Sequence, residues 1–409
     1  MDLNIFYYII KTNLKIDSTV LIIGNYQGLI MELTKLFSSA KIGNVRIKNR
    51  IVRSATWLAR ADELGYVTED LIETYQKLGE GGIGLIISGY IGVHDNGSGN
   101  YRMTRLSNES YKSGQKRLVA TIHDTSDAKV AAQIAHTGSN IIRAGYELVG
   151  PSSIKVPGSI KLVRELPTKE IQEIINSFIS TGTLAYECGY DMIQLHGAHG
   201  YLLSDFLSPF ANKRIDGYGG TLEKRFKIIE EIYHGLRDKL GKEFPIMIKL
   251  NTHDNLKNGL TFEEGKKITK RLVALGLDAV EPSSGRTDPR LTENKSFPAA
   301  IIKKPEEENY FSYIARELKP LMINCALILM GGIRNPIAAE QFLEEEIADF
   351  ISISRPFLYE PDLAKRWESG NLEPTYCTSC NACFGTIRIG TGGIYCPIKH
   401  KQEKKSIKN

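Results

Sequence analysis

Long apolar runs are what this chain of 409 residues most clearly lacks. The N-terminal stretch MDLNIFYYIIKTNLKIDSTVLIIGNYQGLIMEL holds two short ones, Ile5–Ile10 and Val20–Ile23, each too brief to span a bilayer. It also lacks a basic segment leading into an apolar run with a small-residue cleavage site, so no export signal is read and a cytoplasmic location is expected. Met31 is the expected true start, with residues 1–35 an extension outside the folded body. Charge of one sign is scarce too: 52 basic against 47 acidic residues leave +5. Most of that excess sits in the last eleven residues, KHKQEKKSIKN, five lysines against one glutamate. The body is nearly neutral, and no basic stripe interleaved with aromatics marks a nucleic-acid surface. Cysteine, with six in the whole chain, is too rare for a secreted disulfide scaffold.

What is present is ordinary globular composition, 42% hydrophobic and 24% charged, enough for one large domain or two medium ones. Strand-like apolar runs recur at even spacing: RIVRSA (50–55), IGLIISG (83–89), KVAAQIA (129–135), YDMIQL (190–195), FPIMIKL (244–250), LDAVEP (277–282), ALILMGG (326–332) and ADFISIS (348–354). A segment of helical period follows each one, and Thr68, Thr168, Thr221 and Thr261 stand where helix openings are expected. Strict alternation argues for a parallel sheet, and eight units argue that it closes into a (β/α)8 TIM barrel over residues 36–370. The rival is an open doubly wound sheet, but the first strand-to-helix turn reads RSATWLA and has no GxGxxG.

In such a barrel the chemistry lies at the C-terminal strand ends. Lys249 shares a strand face with Met247 and Asn251, and Gln133 with Ala131 and Ala135. A lysine and a glutamine inside a barrel need polar partners or a ligand. MGGIRNP and SISRPFLYEPD end the last two strands. There Gly331 and Gly332 permit close backbone approach, and Ser354 and Arg355 offer a hydroxyl and a guanidinium to a phosphate. QLHGAHGYLLSDF places His196, His199 and Tyr201 at the end of the fourth strand. H-x-x-H admits a metal reading, but no third ligand with zinc spacing is evident.

From Leu36 to about Gly370 these motifs resemble the Old Yellow Enzyme group of NADH:flavin oxidoreductases. The matching elements are NVRIKNRIVRSAT, GGIGLIISG, AAQIAHTG, HGAHGYLLSDFLSPFANKRIDGYGGTLEKR, the lysine of IMIKLN, EPSSG, MGGI and SISRPF. The resemblance implies an FMN across the barrel mouth. Ser54, Ala55 and Thr56 would line one side, Gly89 would lie close to the ring, Gln133 would meet the pyrimidine edge and Lys249 would sit near N1. Gly331, Gly332, Ser354 and Arg355 would hold the phosphate. It further implies that His196 and His199 donate hydrogen bonds to a substrate oxygen and that Tyr201 gives a proton. Trp57 departs from the pattern, since many relatives carry a threonine or cysteine there, and without a cysteine the FMN is expected to be dissociable.

CTSCNACFGTIRIGTGGIYCP sets Cys377, Cys380, Cys383 and Cys396 at C-x2-C-x2-C-x12-C in a short segment, 371–409, that also holds the basic tail. Four thiolates can enclose a 4Fe-4S cluster, with zinc as the chemical rival. The spacing is similar to that of trimethylamine dehydrogenase, one of the large members of the group. Cys188 and Cys325 read as core thiols. The chain ends thirteen residues after Cys396, so no second flavin domain is expected within it. The activity expected is NAD(P)H-dependent reduction of an enone-type small molecule. The alternatives are amine or other oxidation with electrons leaving through the cluster, or an electron-transfer subunit with a protein partner. A homo-oligomer stays open.

Overall fold

A strand that leads into a helix and returns in the same direction pairs in parallel with its predecessor. The computed structural model describes residues 32–141, 145–155, 162–287, 298–387 and 393–406, and it contains eight such units. The strands are β1 (Ile51–Arg53), β2 (Leu85–Ile87), β3 (Lys129–Ala135), β4 (Met192–Gly197), β5 (Ile246–Asn251), β6 (Ala279–Ser283), β7 (Ala326–Leu329) and β8 (Phe350–Ile353). The helices after them are α1 (Glu69–Glu80), α2 (Lys112–Thr125), α3 (Thr168–Glu187), α4 (Leu222–Leu240), α5 (Phe262–Ala274), α6 (Ser312–Leu318), α7 (Pro336–Glu344) and α8 (Leu363–Glu368). Neighbouring strands pair in sequence order. β8 then pairs with β1 through Ile351–Ile51, Ser352–Val52 and Ile353–Arg53, so the sheet closes. The fold is a (β/α)8 barrel, as the alternation implied.

Each strand divides its side chains by parity. Ile246, Ile248 and Leu250 of β5, like Val130, Ala132 and Ile134 of β3, face the helices in the main apolar layer. Met247, Ala131, Met192, Ala279, Ile328 and Phe350 fill the lower barrel interior, where Ile42 and Ile47 of a hairpin (Ala40–Ile42, Val45–Ile47) close the bottom. One step higher the inward positions turn polar, with Gln133, Gln194, Lys249, Glu281 and Ser352 all buried. That change of chemistry along the barrel axis separates the half that holds the fold from the half that can hold a ligand.

Thr68, Thr221 and Thr261 cap α1, α4 and α5 through their hydroxyls, and Thr261 forms a full capping box with Glu264. Thr168 does not: Pro167 takes the cap position, and among the described residues no side chain caps that helix. The seventh strand stops at Leu329, short of the expected glycines, because Gly331 (φ 109°) and Gly332 (φ 79°) have left the extended region. Asn309 (φ 56°) likewise delays α6. A short helix, Leu202–Leu207, directly follows the fourth strand and was not legible in the sequence pattern.

Leu33–Asn409 forms one compact unit that includes the cysteine segment. Residues 1–31, which carry most of the expected N-terminal extension, lie outside the described residues. The chain is tied in at Lys35 and Leu36, whose backbone N–H groups donate to the buried Glu340 carboxylate at 2.6 and 2.7 Å. Glu340→Ala leaves these donors unsatisfied, at a cost of about 3 kcal/mol. Urea unfolding should show the lower midpoint with an unchanged slope. A loss below about 0.5 kcal/mol would mean that Glu340 does not hold this segment.

Candidate active site

Above the polar layer the strand ends surround a cleft of about 670 Å³, in the range of small-molecule and cofactor sites. Ser54, Ala55, Thr56, Gln133, Lys249, His196, His199, Tyr201, Gly331, Gly332, Ser354 and Arg355 all line it. Gly89 does not. It packs behind Thr56, where an added Cβ would come within 2.4 Å of the Thr56 carbonyl oxygen, and its N–H donates to Tyr75 Oη at 2.5 Å.

The floor is a hydrogen-bonded network centred on Glu281, which stands beside Lys249 in the β5–β6 register. Lys249 Nζ lies 3.3 Å from Glu281 Oε2 and donates to Ser54 Oγ at 2.8 Å. Ser54 and Ser352 donate to Glu281 Oε1 at 2.8 and 2.7 Å. Gln194 Nε2 donates to Oε2 at 2.9 Å, and Gln133 Nε2 to Gln194 Oε1 at 2.7 Å. Burial pulls the Lys249 pKa below the usual lysine value, and the Glu281 charge opposes that shift. The sequence reading missed Glu281 and Gln194. Glu281 had a signal, since it falls on the inward face of β6 with Ala279 and Ser283, level with Lys249.

One wall is aromatic. The His196 and His199 rings meet edge to face at 5.3 Å, and Tyr201 lies 4.6 Å from His196. His199 adopts φ 67°, an unusual conformation for a side-chain-bearing residue, and Gly200 follows at φ 78°. This bend brings His199 Nε2 to 2.8 Å from Ser283 Oγ. Burial, with Lys249 adding to it, lowers the His199 pKa to about 3. Burial, His199 and Lys249 lower that of His196 well below the ordinary value. Both imidazoles are therefore neutral at physiological pH. His196 Nδ1 is buried with no hydrogen-bond partner among the described residues, an orphan polar atom at the edge of a cleft. Tyr90 and Asn100, also missed, complete this wall around Tyr201. Trp57 donates its indole N–H to the Tyr101 carbonyl at 3.1 Å and lies 6.3 Å from Tyr90.

Cys377, Cys380, Cys383 and Cys396 are free thiols that line one pocket with Arg355. Left-handed turns at Ser379 (φ 53°) and Asn381 (φ 62°) fold the loop. Arg355 Nη1 ties it to the barrel, donating to the Ala300 and Ser379 carbonyls at 2.9 and 3.1 Å and to Asn381 Oδ1. Burial raises the Cys377 thiol and pushes Cys383 up to about 11. For Cys380, burial pushes the pKa up, but hydrogen bonds from the Ala382 and Cys380 backbone and from Thr378, with the Arg355 charge, together lower it. Among the described residues, no three or more His, Cys, Asp or Glu side chains are placed to hold a metal ion. The four thiols thus share a pocket without meeting at one point.

Glu281→Gln should destabilise the protein by about 3–5 kcal/mol, because it strands the Lys249 ammonium. The Lys249 pKa in the folded variant must drop further below its unfolded value. Above that folded pKa only the unfolded chain keeps the proton, so the deficit should shrink as pH rises. Chemical denaturation across a pH series checks both the size and the sign. A deficit that does not change with pH would mean that the lost charge is not its cause.

Residues 35–373 match the family described as NADH:flavin oxidoreductase / NADH oxidase. An NADH oxidase from Thermoanaerobacter brockii is 33% identical over 391 residues, which cover 91% of this chain and 59% of the relative. An NADPH dehydrogenase from Bacillus cytotoxicus is 32% identical over 329 residues, 80% of this chain and 90% of the relative. The solved complex of 2-naphthoyl-CoA reductase with 2-naphthoyl-CoA superposes with a TM-score of 0.78 at 28% identity, covering 86% of this chain and 54% of that one. The chain therefore spans little more than half the length of the NADH oxidase and of the 2-naphthoyl-CoA reductase. With a family match over most of its length and a barrel whose loaded residues gather at one mouth, the chain belongs to the NADH:flavin oxidoreductase / NADH oxidase family.

Proposed function

We propose that this protein is an FMN-dependent oxidoreductase that uses NAD(P)H to reduce the C=C bond of α,β-unsaturated carbonyl compounds. The observation that carries the reading is a phenol, Tyr201, in one cleft with two neutral imidazoles above a buried ammonium. The residues present fit a flavin. Lys249 and Gln133 supply a cation and an amide at the cleft floor, and Gly331, Gly332, Ser354 and Arg355 supply donors for its phosphate. FMN, when bound, supplies the hydride. His196 and His199, being neutral, keep N–H donors for an oxygen that gains negative charge. Tyr201 retains its proton, since burial raises its pKa, and can deliver it to the carbon beside the carbonyl.

For the cysteines we infer a 4Fe-4S cluster in preference to zinc, supported by the C-x2-C-x2-C-x12-C spacing and by the pocket that all four thiols line. Cys383, Arg355 and Leu358 border both this pocket and the cleft, which favours a second reading in which electrons leave toward a partner protein.

Protein purified without oxygen should be yellow, release FMN on mild denaturation and contain about four irons and four sulfides per chain. One zinc and no sulfide would end the cluster reading. If folded Cys380→Ser enzyme keeps full NAD(P)H-to-enone turnover, the cluster serves the fold or an outside partner and not this reaction.

Tyr201→Phe should slow reduction of 2-cyclohexenone by roughly 10²–10⁴, while reduction of FMN by NAD(P)H changes far less. Stopped-flow measurement of the separate half-reactions decides it. Equal slowing of both would assign Tyr201 a positioning role instead.

A further inference from the structure

Tyr90 follows β2 and meets Tyr201 across the aromatic wall. Tyr201 Oη donates to Tyr90 Oη at 3.0 Å, with ring centroids 5.3 Å apart and planes tilted by 52°. Asn100 Nδ2 donates to Tyr90 Oη at 2.5 Å and reaches Tyr201 Oη at 3.5 Å. The Tyr90 oxygen thus accepts two hydrogens, and its own hydrogen points to neither of these partners. Both phenols are 7% exposed, and both line the cleft with Asn100.

A phenol in this position has a difficulty once its proton is gone. The phenolate is left in a buried aromatic setting, where an unpaired charge is costly. The two tyrosines are unequal in this respect. For Tyr201, burial raises the pKa, but the hydrogen bonds of Tyr90 and Asn100 work against that rise. For Tyr90, burial and the adjacent Tyr201 act in the same direction, and its pKa goes well above the ordinary value. Tyr201 is the first of the two to release a proton.

We propose that Tyr90 is the hydrogen-bond donor that stabilises the Tyr201 phenolate between proton delivery and reprotonation, a role that rests on the ene-reductase reading above. The Tyr201 O–H bond breaks as the C–H bond forms on the substrate. The Tyr90 hydroxyl then turns and donates a hydrogen bond to the Tyr201 phenolate oxygen while keeping its own O–H bond. The charge stays on Tyr201, where Tyr90 and Asn100 Nδ2 hold it until a proton from water in the open cleft restores the Tyr201 O–H bond. No electrons change hands in this step. Tyr90 acts through Tyr201 and is in that sense a positioning residue. Two tyrosines and an amide so placed explain why a buried acid can be used again at every turnover.

Tyr90→Phe keeps the ring and removes only the hydroxyl. With the FMN holoenzyme reduced by light, reoxidation by 2-cyclohexenone should slow by about ten- to a hundredfold, the size of one hydrogen bond to a charged group. The basic limb of its pH profile should move upward, because the Tyr201 phenolate has lost a donor. Asn100→Ala should act in the same direction. A wild-type rate, or a slower rate with the basic limb unmoved, overturns the proposal. A readout independent of activity places 3-fluorotyrosine at position 201 and follows its ionisation by fluorine resonance. In the Tyr90→Phe background that ionisation should move to higher pH, and an unchanged titration also overturns the proposal. If the wild-type holoenzyme does not reduce the enone at all, the ene-reductase reading has failed, and the fluorine titration still decides whether Tyr90 supports the Tyr201 phenolate.

Discussion

The ammonium of Lys249 is buried inside the barrel, and it can remain charged there only because the Glu281 carboxylate lies beside it at 3.3 Å. That carboxylate also accepts from Ser54, Ser352 and Gln194. Its partners come from the ends of β1, β8, β4 and β5, so one anion on β6 fixes the upper side chains of five of the eight strands relative to one another. A buried pair of this kind adds little net stability over an apolar core, because desolvation offsets the attraction. What it supplies is position. With every lone pair of Glu281 occupied, Lys249 and Gln133 have few alternative placements, and the floor of the cleft is set before any ligand arrives.

The same cation governs the wall above it. Lys249 adds to the burial that keeps His196 and His199 neutral. A protonated imidazole over the floor would place two positive charges close together in a low-dielectric setting. The histidines therefore act as neutral dipoles, whose N–H groups are available without competing for a proton. The left-handed backbone at His199 costs free energy, and the Ser283 contact and the packed ring of His196 hold it in place.

Much of this was legible in the sequence, for reasons that differ from feature to feature. The barrel could be read because apolar runs and helical periods alternate, and the period-two parity of the strands is enough to turn Lys249 and Gln133 inward. Glu281 was within reach of the same parity argument. It escaped because EPSSG looks like a strand end and its register against Lys249 depends on pairing, which sequence does not state. Tyr90 and Asn100 had no periodic signal. They reach Tyr201 through a loop path from β2, and loop geometry follows from tertiary contacts and not from local pattern. For Gly89, which the resemblance set close to the ring, the missing Cβ makes room for the Thr56 carbonyl.

The cysteine segment also has to be understood through what it touches. It is too short to bury a core of its own, and it borrows one from the barrel mouth. Thr375 N–H donates to the Arg334 carbonyl at 2.9 Å and Ile394 N–H to the Leu58 carbonyl at 2.7 Å, while Glu360 accepts from Tyr376 N–H at 2.8 Å. Cys383 and Ile394 pack with Trp57, whose ring also borders Tyr90 and Tyr201. The departure at Trp57 thereby acquires a physical meaning. A threonine or cysteine there would leave a gap between the loop and the aromatic wall, and the indole fills it while its N–H stays satisfied by the Tyr101 carbonyl. Whatever order the four thiols impose on their loop is transmitted through Trp57 and Arg355 to the shape of the cleft. In this chain the cysteine motif is thus a wall of the site as much as a neighbour of it.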